Sequence, residues 1–289
     1  MLSISESDPT DLALVGEPVQ VSGEFPNSVA VSHKHKLVCV SSTGASTGVS
    51  CAKLSKSGVS AFDELRAIDL GQSTPPAGPA NTISQVLFSG DESALLAVVK
   101  GNPAANTTGF ISAYAVEDGS VSGEETRSQA EGTDILFGTA LVPSTGSLVV
   151  ADASFGAAVV EFDPASLEVS TLARTEIEGQ SATCWADYSS RFGTAFLTDA
   201  GVSRLVEIDV GDGHVLSTTE MPDNGGVAGM TDLRTVGDFV YALASGNGTT
   251  EASVLVADVS KSPEAGSQIQ RFGLEGIAKN RAMGMTYLE

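Results

Sequence analysis

The sequence predicts an all-β chain folded as a β-propeller, and two observations carry that prediction. Short segments repeat: Gly229-Met230-Thr231-Asp232-Leu233 returns as Gly284-Met285-Thr286-Tyr287-Leu288, 55 residues on. Val159-Val160-Glu161-Phe162-Asp163 returns as Leu205-Val206-Glu207-Ile208-Asp209, and more loosely as Leu255-Val256-Ala257-Asp258-Val259. A period of roughly 45–55 residues with several short strands per repeat is the pattern of propeller blades. The second observation is texture. Short Val, Leu and Ala runs are punctuated by 31 glycines and many Ser and Thr residues, as strands and turns require, and no amphipathic helical stretch of useful length interrupts them.

Each repeat divides into four strands, a to d from the axis outward. The first full unit is expected at Ser28–Ser32, Leu37–Ser41, Val49–Leu54 and Leu65–Leu70. The second falls at Gln85–Phe88, Leu95–Lys100, Phe110–Val116 and Glu124–Gln129, and the third at Thr139–Val142, Leu148–Asp152, Ala158–Asp163 and Val169–Glu176. The fourth occupies Thr183–Tyr188, Thr194–Asp199, Arg204–Val210 and Leu216–Met221. The fifth occupies Met230–Val236, Phe239–Ala244, Ser253–Val259 and Gln268–Phe272. Met283–Leu288 reads as an a strand, Leu2–Ser5 as a c strand and Leu12–Val21 as a d strand, so the two ends resemble one composite blade without its b strand. Joining them closes a ring that otherwise has open edges. The expectation is a single propeller domain over residues 1–289, with five full blades, partial strands at both ends, and a start inside a larger ring. The loop Gly71–Pro79, with three prolines, is expected as a stiff exposed rim cover.

With 15 basic and 36 acidic residues the net charge is −21. A field of that sign repels nucleic acid and anionic membrane surfaces, so neither is expected as a partner. No run of about 18 apolar residues is present to span a bilayer. Met1-Leu2-Ser3-Ile4-Ser5-Glu6 has neither a basic region nor a long apolar core, so no signal peptide is read there. Asn106-Thr107-Thr108 and Asn247-Gly248-Thr249 are glycosylation sequons in loops and lean towards an extracellular protein, with a cytoplasmic one still open.

Cys39, Cys51 and Cys184 are the three cysteines. Thr43–Gly48 is turn-like with its midpoint near Ala45, which folds Cys39 and Cys51 close to opposite each other. The pair is either a cross-strand disulfide in an oxidising compartment or two buried free thiols. Their spacing fits no zinc pattern, and no metal is expected.

Phe25-Pro26-Asn27-Ser28-Val29-Ala30-Val31-Ser32 followed by Lys36–Val40, and Ser84–Val99, have the strand–turn–strand form of the lactonase-type seven-bladed propellers, which the chain resembles. Within that family it is most similar to a fungal group described as carboxymuconate cyclase-like. The segments that carry this are Gly23–Pro26, Gly48–Cys51, Thr74–Pro79 and Gly179–Trp185. The resemblance runs from about Leu12 to the C-terminus, and against that group about one and a half N-terminal blades are missing. It implies a cofactor-free lactonising enzyme, an intramolecular lyase or isomerase, or a lactone hydrolase, acting on a small polar molecule at the mouth of the axial channel. The family's chemistry rests on Arg, which holds a carboxylate or phosphate, and on His or Glu, which moves a proton. Here Ser28, Ser84-Gln85, Gly138 and Trp185 stand where the family's His or Arg-His precedes an inner strand. His33 and His35 lie in a polar turn and His214 in another, all three expected to face solvent.

The candidate catalytic residues are therefore Lys100, Asp152 and Asp199, each at the end of a b strand, with Gln85 and Trp185 as substrate-binding positions and Asp232 nearby. The competing role for the two aspartates is turn capping, and for Trp185 a place in the core. The rival reading of the whole chain is a non-catalytic secreted or cell-surface propeller that binds a protein or glycan.

Overall fold

The computed structural model describes residues 1–8, 10–278 and 282–287. Among them every regular element is a β-strand except one 3-10 turn at Pro103–Ala105. Strands β1 (Leu2–Ile4) and β2 (Leu12–Leu14) form a separate two-stranded sheet, in the register Leu2↔Leu14 and Ile4↔Leu12. Five larger antiparallel sheets follow in chain order. The first comprises β3 (Pro26–Ser32), β4 (Leu37–Ser42), β5 (Gly48–Ser55), β6 (Gly58–Val59) and β7 (Arg66–Ala67). The second comprises β8 (Ile83–Phe88), β9 (Ala94–Val99), β10 (Phe110–Glu117), β11 (Ser120–Val121) and β12 (Thr126–Ser128). The third holds β13 (Leu136–Leu141), β14 (Leu148–Asp152), β15 (Gly156–Asp163) and β16 (Glu168–Glu176). The fourth holds β17 (Thr183–Ser189), β18 (Thr194–Asp199), β19 (Arg204–Asp209) and β20 (Val215–Glu220). The fifth holds β21 (Asp232–Val236), β22 (Phe239–Ala244), β23 (Ser253–Asp258) and β24 (Ser267–Gly273).

Each sheet is a meander, with neighbours in sequence paired in space, as in a propeller blade. The strands expected from the sequence fall on these elements with two kinds of correction. In the first two sheets the outer strand is split: β6 and β7 both pair with β5, and β11 and β12 both pair with β10. A tight turn at Gly58, and another at Asp118-Gly119, sends the chain straight back before the outer edge is finished. At the ends, Leu12–Val21 is extended only over Leu12–Leu14, and residues 283–287 carry no strand, while Leu288 lies outside the described residues.

The middle strands β9, β14 and β18 are buried along their whole length. β9 and Leu148–Ala151 of β14 read as continuous apolar runs because both faces are covered. The chain gathers into two compact units, one of Met1–Lys100, Ile111–Ser128 and Pro164–Glu168, the other of Gly101–Phe110, Gln129–Asp163 and Val169–Glu289. In the second unit Val149, Ala157, Val159, Leu197, Val206 and Ile208 pack into one cluster, and Phe196, Leu205, Met230, Leu233, Val240 and Leu255 into another. Each such buried Leu, Ile, Val or Phe contributes about 1.5–3 kcal/mol relative to exposure.

In the first unit Cys39 stands directly opposite Cys51 on β4 and β5, with Cα atoms 4.0 Å apart, and the two sulfurs are joined in a disulfide. Cys184 is a buried free thiol. The loop 71–79 is exposed and stapled through Thr74, whose Oγ1 donates to Glu24 Oε2 at 2.5 Å and accepts from Ala45 N at 2.8 Å. His33 and His214 face solvent, but His35 is half-buried, its Nε2 donating to Glu92 O at 3.1 Å.

Candidate functional site

Four inner strands break register near their start, between Pro26 and Ser28, Ile83 and Gln85, Leu136 and Thr139, and Thr183 and Trp185. A bulge of this kind re-aims the side chains beside it and is favoured next to binding sites. The bulges fall on the positions, Ser28, Gln85, Gly138 and Trp185, where the resemblance places the family's histidines. In the first unit the bulge residues stitch one inner strand to the next: Asn27 Nδ2 donates to Ile83 O at 2.7 Å, and Ser28 Oγ accepts from Val86 N at 3.1 Å.

Gln85 is half-buried on β8, and Lys100 follows β9 in the same sheet. Lys100 donates its amide to Thr82 O and its Nζ to Thr82 Oγ1, both at 3.0 Å. The sequence-predicted acids of the second unit do a matching task. Asp152 is fully buried and accepts from Asp134 N at 2.7 Å, Ile135 N at 3.1 Å, Ser154 N at 2.9 Å and Ser154 Oγ at 2.6 Å. Asp199, 4% exposed, accepts from Ser181 N at 2.7 Å, Ala182 N at 3.0 Å, Gly201 N at 2.7 Å and Val202 N at 3.1 Å. In each case the carboxylate ties the segment before its inner strand to the turn after its own strand. Neither aspartate bonds the other, and this geometry is that of a loop clamp.

Trp185, half-buried on β17, packs against the cluster of Phe196, Leu205 and Met230. Its ring also lies across the backbone of Gly138: a Cβ added there would meet the indole Cδ2 at 2.3 Å and Cγ at 2.6 Å. The indole therefore closes the space between two neighbouring inner strands, and glycine is what admits it. Gly138→Ala is expected to cost about 1–3 kcal/mol through overpacking. Because Trp185 is the only tryptophan, its emission should shift to the red in the same variant. Unfolding curves followed by Trp fluorescence check both.

Beyond Trp185 on the same face of β17 stands Asp187, since alternate residues of a strand share a face. Its Oδ2 accepts from Thr235 N at 2.7 Å and Thr235 Oγ1 at 3.0 Å on the next inner strand, β21. The carboxyl also takes a backbone hydrogen bond from Tyr188, and among the described residues no side chain donates to Oδ1. Burial pushes the Asp187 carboxyl above the ordinary carboxylate range, against the opposing pull of the Thr235 bonds and the nearby Arg234 guanidinium. Arg234, on β21, spends Nη1 on Asp232 Oδ1 at 3.1 Å and Leu233 O at 2.6 Å. Its Nε and Nη2 bond nothing among the described residues, and the side chain is 24% exposed. Asp232 is buried, and burial raises its pKa too. Its Oδ1 also accepts Leu233 N at 2.8 Å, and its Oδ2 accepts Met285 N at 2.6 Å, which brings the C-terminal segment over the cluster.

Asp187, Arg234 and Asp232 thus form a titratable cluster holding a guanidinium fork with unspent donors and an acid poised above its usual range. Such a group is a functional-site candidate on physical grounds. Only Asp232 was singled out from sequence. The available signal was a charged residue set inside an inner strand, Asp187 between Ala186 and Tyr188 and Arg234 between Leu233 and Thr235.

No protein-family model matches the sequence, and no curated protein matches it. Solved structures do. The periplasmic gluconolactonase PpgL of Pseudomonas aeruginosa superposes with a TM-score of 0.69 at 14% identity, over 95% of this chain and 78% of that one. A protein from Lactobacillus plantarum gives 0.66 at 15% identity, over 88% and 73%. A functionally unknown protein from Desulfotomaculum acetoxidans gives 0.63 at 14%, over 90% and 73%. At these identities the likeness is one of fold, that of a β-propeller.

Proposed function

We propose that this propeller opens or closes the ring of a small, polar, anionic lactone without a cofactor, at the Asp187–Arg234 cluster. The observation that carries the reading is Asp187, an acid held at Oδ2 by Thr235, with no side-chain donor on Oδ1 among the described residues and a raised pKa, beside an arginine with unspent donors. In ring opening, Asp187 takes a proton from water as the water oxygen bonds to the lactone carbonyl carbon. The carbon–oxygen bond of the ring then breaks, and the proton passes to the departing alkoxide. Ring closure is the same path reversed. The free Nε and Nη2 of Arg234 form a fork suited to a substrate carboxylate, and Trp185 supplies a flat wall on the same strand face. Fold likeness to a gluconolactonase supports the reaction class by analogy. The sequence resemblance favours lactonisation of a carboxymuconate-type acid; there a substrate carboxylate oxygen bonds to one carbon of a C=C bond, the protonated Asp187 gives its proton to the other carbon, and no water is gained or lost.

An extracellular setting belongs to the same proposal. The Cys39–Cys51 disulfide suits an oxidising compartment, and Asn106 and Asn247 are both exposed for glycosylation.

A panel of aldonolactones and muconate-type acids, assayed for ring opening and closing, tests the function. Arg234→Met is expected to raise KM for anionic substrates at least tenfold while leaving neutral lactones little changed. That difference is about 1.4 kcal/mol or more of carboxylate recognition. Activity absent across the whole panel would remove the catalytic reading and favour a propeller that only binds.

A further inference from the structure

We propose that the Cys39–Cys51 disulfide is addressable from one side, by a small anionic thiol that enters a pocket on the first sheet and exchanges onto Cys51. The inference stands apart from the lactone site, which lies in the other unit.

The pocket holds about 310 Å³, at the small end of ligand-sized cavities. Its apolar side is formed by Leu37, Cys51, Ala52 and Val121, all nearly buried, and its rim by Lys53, Ser60, Asp63 and Ser120. Cys51 lines the pocket; Cys39, fully buried, is not among its lining residues. A nucleophile that enters therefore meets the Cys51 end of the bond and not the Cys39 end. Thiol–disulfide exchange goes to whichever sulfur is accessible.

Charge decides which thiol is favoured. Lys53 shares a face of β5 with Cys51, two residues on. Its ammonium donates to Gly119 O and forms no ion pair with a carboxylate among the described residues. The acid on the rim, Asp63, is already neutralised: its Oδ2 pairs with Arg66 Nη2 at 2.9 Å, and its Oδ1 accepts Arg66 Nη1 at 3.0 Å and Cys51 N at 2.7 Å. Among the residues that line the pocket, Lys53 is thus a cation with no carboxylate partner, in a chain that is strongly negative overall.

The exchange balances. The entering thiolate sulfur bonds to Cys51 Sγ, the Cys39–Cys51 bond breaks, and Cys39 leaves as a thiolate that takes a proton from water. A second thiol attacking the mixed disulfide releases Cys51 as a thiol and the small molecule as its own disulfide. Over the two steps the protein cystine is reduced and two small thiols are oxidised to one disulfide.

The folded full-length chain is incubated with glutathione, with uncharged 2-mercaptoethanol and with cationic cysteamine, quenched in acid, and the adducts mapped by peptide mass. The expected result is a mixed disulfide on Cys51 without denaturant, fastest with glutathione after correction for each thiol's intrinsic reactivity. Lys53→Gln is expected to slow glutathione about three- to tenfold at low salt and cysteamine not at all, with the difference shrinking as salt rises. Lys56→Gln, whose side chain does not line the pocket, should leave every rate unchanged. Adducts on Cys39, adducts only after denaturation, or a Lys53→Gln rate equal to that of the parent chain would each overturn the proposal.

Discussion

Asp199→Ala is expected to lower the stability of the protein by about 3–5 kcal/mol, and Asp152→Ala by a similar amount. Each substitution leaves buried donors without an acceptor, and an orphaned buried donor costs about 1–3 kcal/mol. For Asp199 the donors are the amides of Ser181, Ala182, Gly201 and Val202. Those at the turn can recover part of the loss by hydration. The surroundings leave little room to adapt: a Cβ on Gly229 would lie 2.1 Å from Asp199 O, so that backbone is already in close contact with the next connection. Met230 N also donates to Asp199 O at 2.8 Å. At roughly 2–4 °C per kcal/mol for a chain of this size, the midpoint should fall by about 6–20 °C. Asn at either position keeps one carbonyl oxygen as an acceptor and should fall between wild type and Ala. Thermal unfolding followed by circular dichroism measures this directly. An unchanged midpoint in Asp199→Asn, coupled with lost lactone turnover, would return Asp199 to the role of a proton carrier.

The clamp role explains why these aspartates looked catalytic from sequence. An Asp at the end of a buried strand is equally compatible with a site and with a turn cap. The difference lies in where two backbone amides 17 and 18 residues upstream come to rest. That separation is simply the length of one hairpin, so nothing in the residue pattern marks it. The blades were legible because the code for them is local: apolar runs such as Ala94–Val99 and Leu148–Ala151 need cover on both faces, and turn residues fix their ends. Cys39 and Cys51 could be placed opposite each other for the same reason. The split outer strands were not legible, since a two-residue pairing such as Gly58–Val59 carries too little pattern to register. Asp187 and Arg234 stayed hidden for a different reason. They belong to neighbouring inner strands, and the Asp187–Thr235 contact spans 48 residues, so the cluster exists only once two blades are packed side by side.

Asp187→Asn should separate function from stability in the opposite sense to Asp199→Ala. Proton transfer by a positioned side chain is worth about 10²–10⁴ in rate, so lactone turnover is expected to fall at least about a hundredfold. Stability should not fall with it. Burial raises the folded-state pKa of Asp187 above its reference value of 3.8. For an acid, a raised folded pKa means that the folded state holds its proton more tightly than the unfolded chain. That contribution to stability is fully present below pH 3.8 and is lost as pH rises through the folded pKa. At neutral pH the ionised, desolvated carboxylate is a liability that Asn removes, while its carbonyl oxygen still accepts Thr235 N. The variant should therefore melt no lower than wild type at pH 7. Its melting point should also lose part of the gain that mild acidification brings to the wild type, a gain Asp232 shares through its own raised pKa. The rate has the reverse dependence. A general base must be ionised, so kcat/KM for ring opening should rise with pH through a value above the ordinary carboxylate range and then level off. Thr235→Val removes the hydroxyl bond to Oδ2 and, by withdrawing a donor from the ionised form, should move that acid limb further up. A limb that stays at the same pH in Thr235→Val would mean that some group other than Asp187 carries the proton.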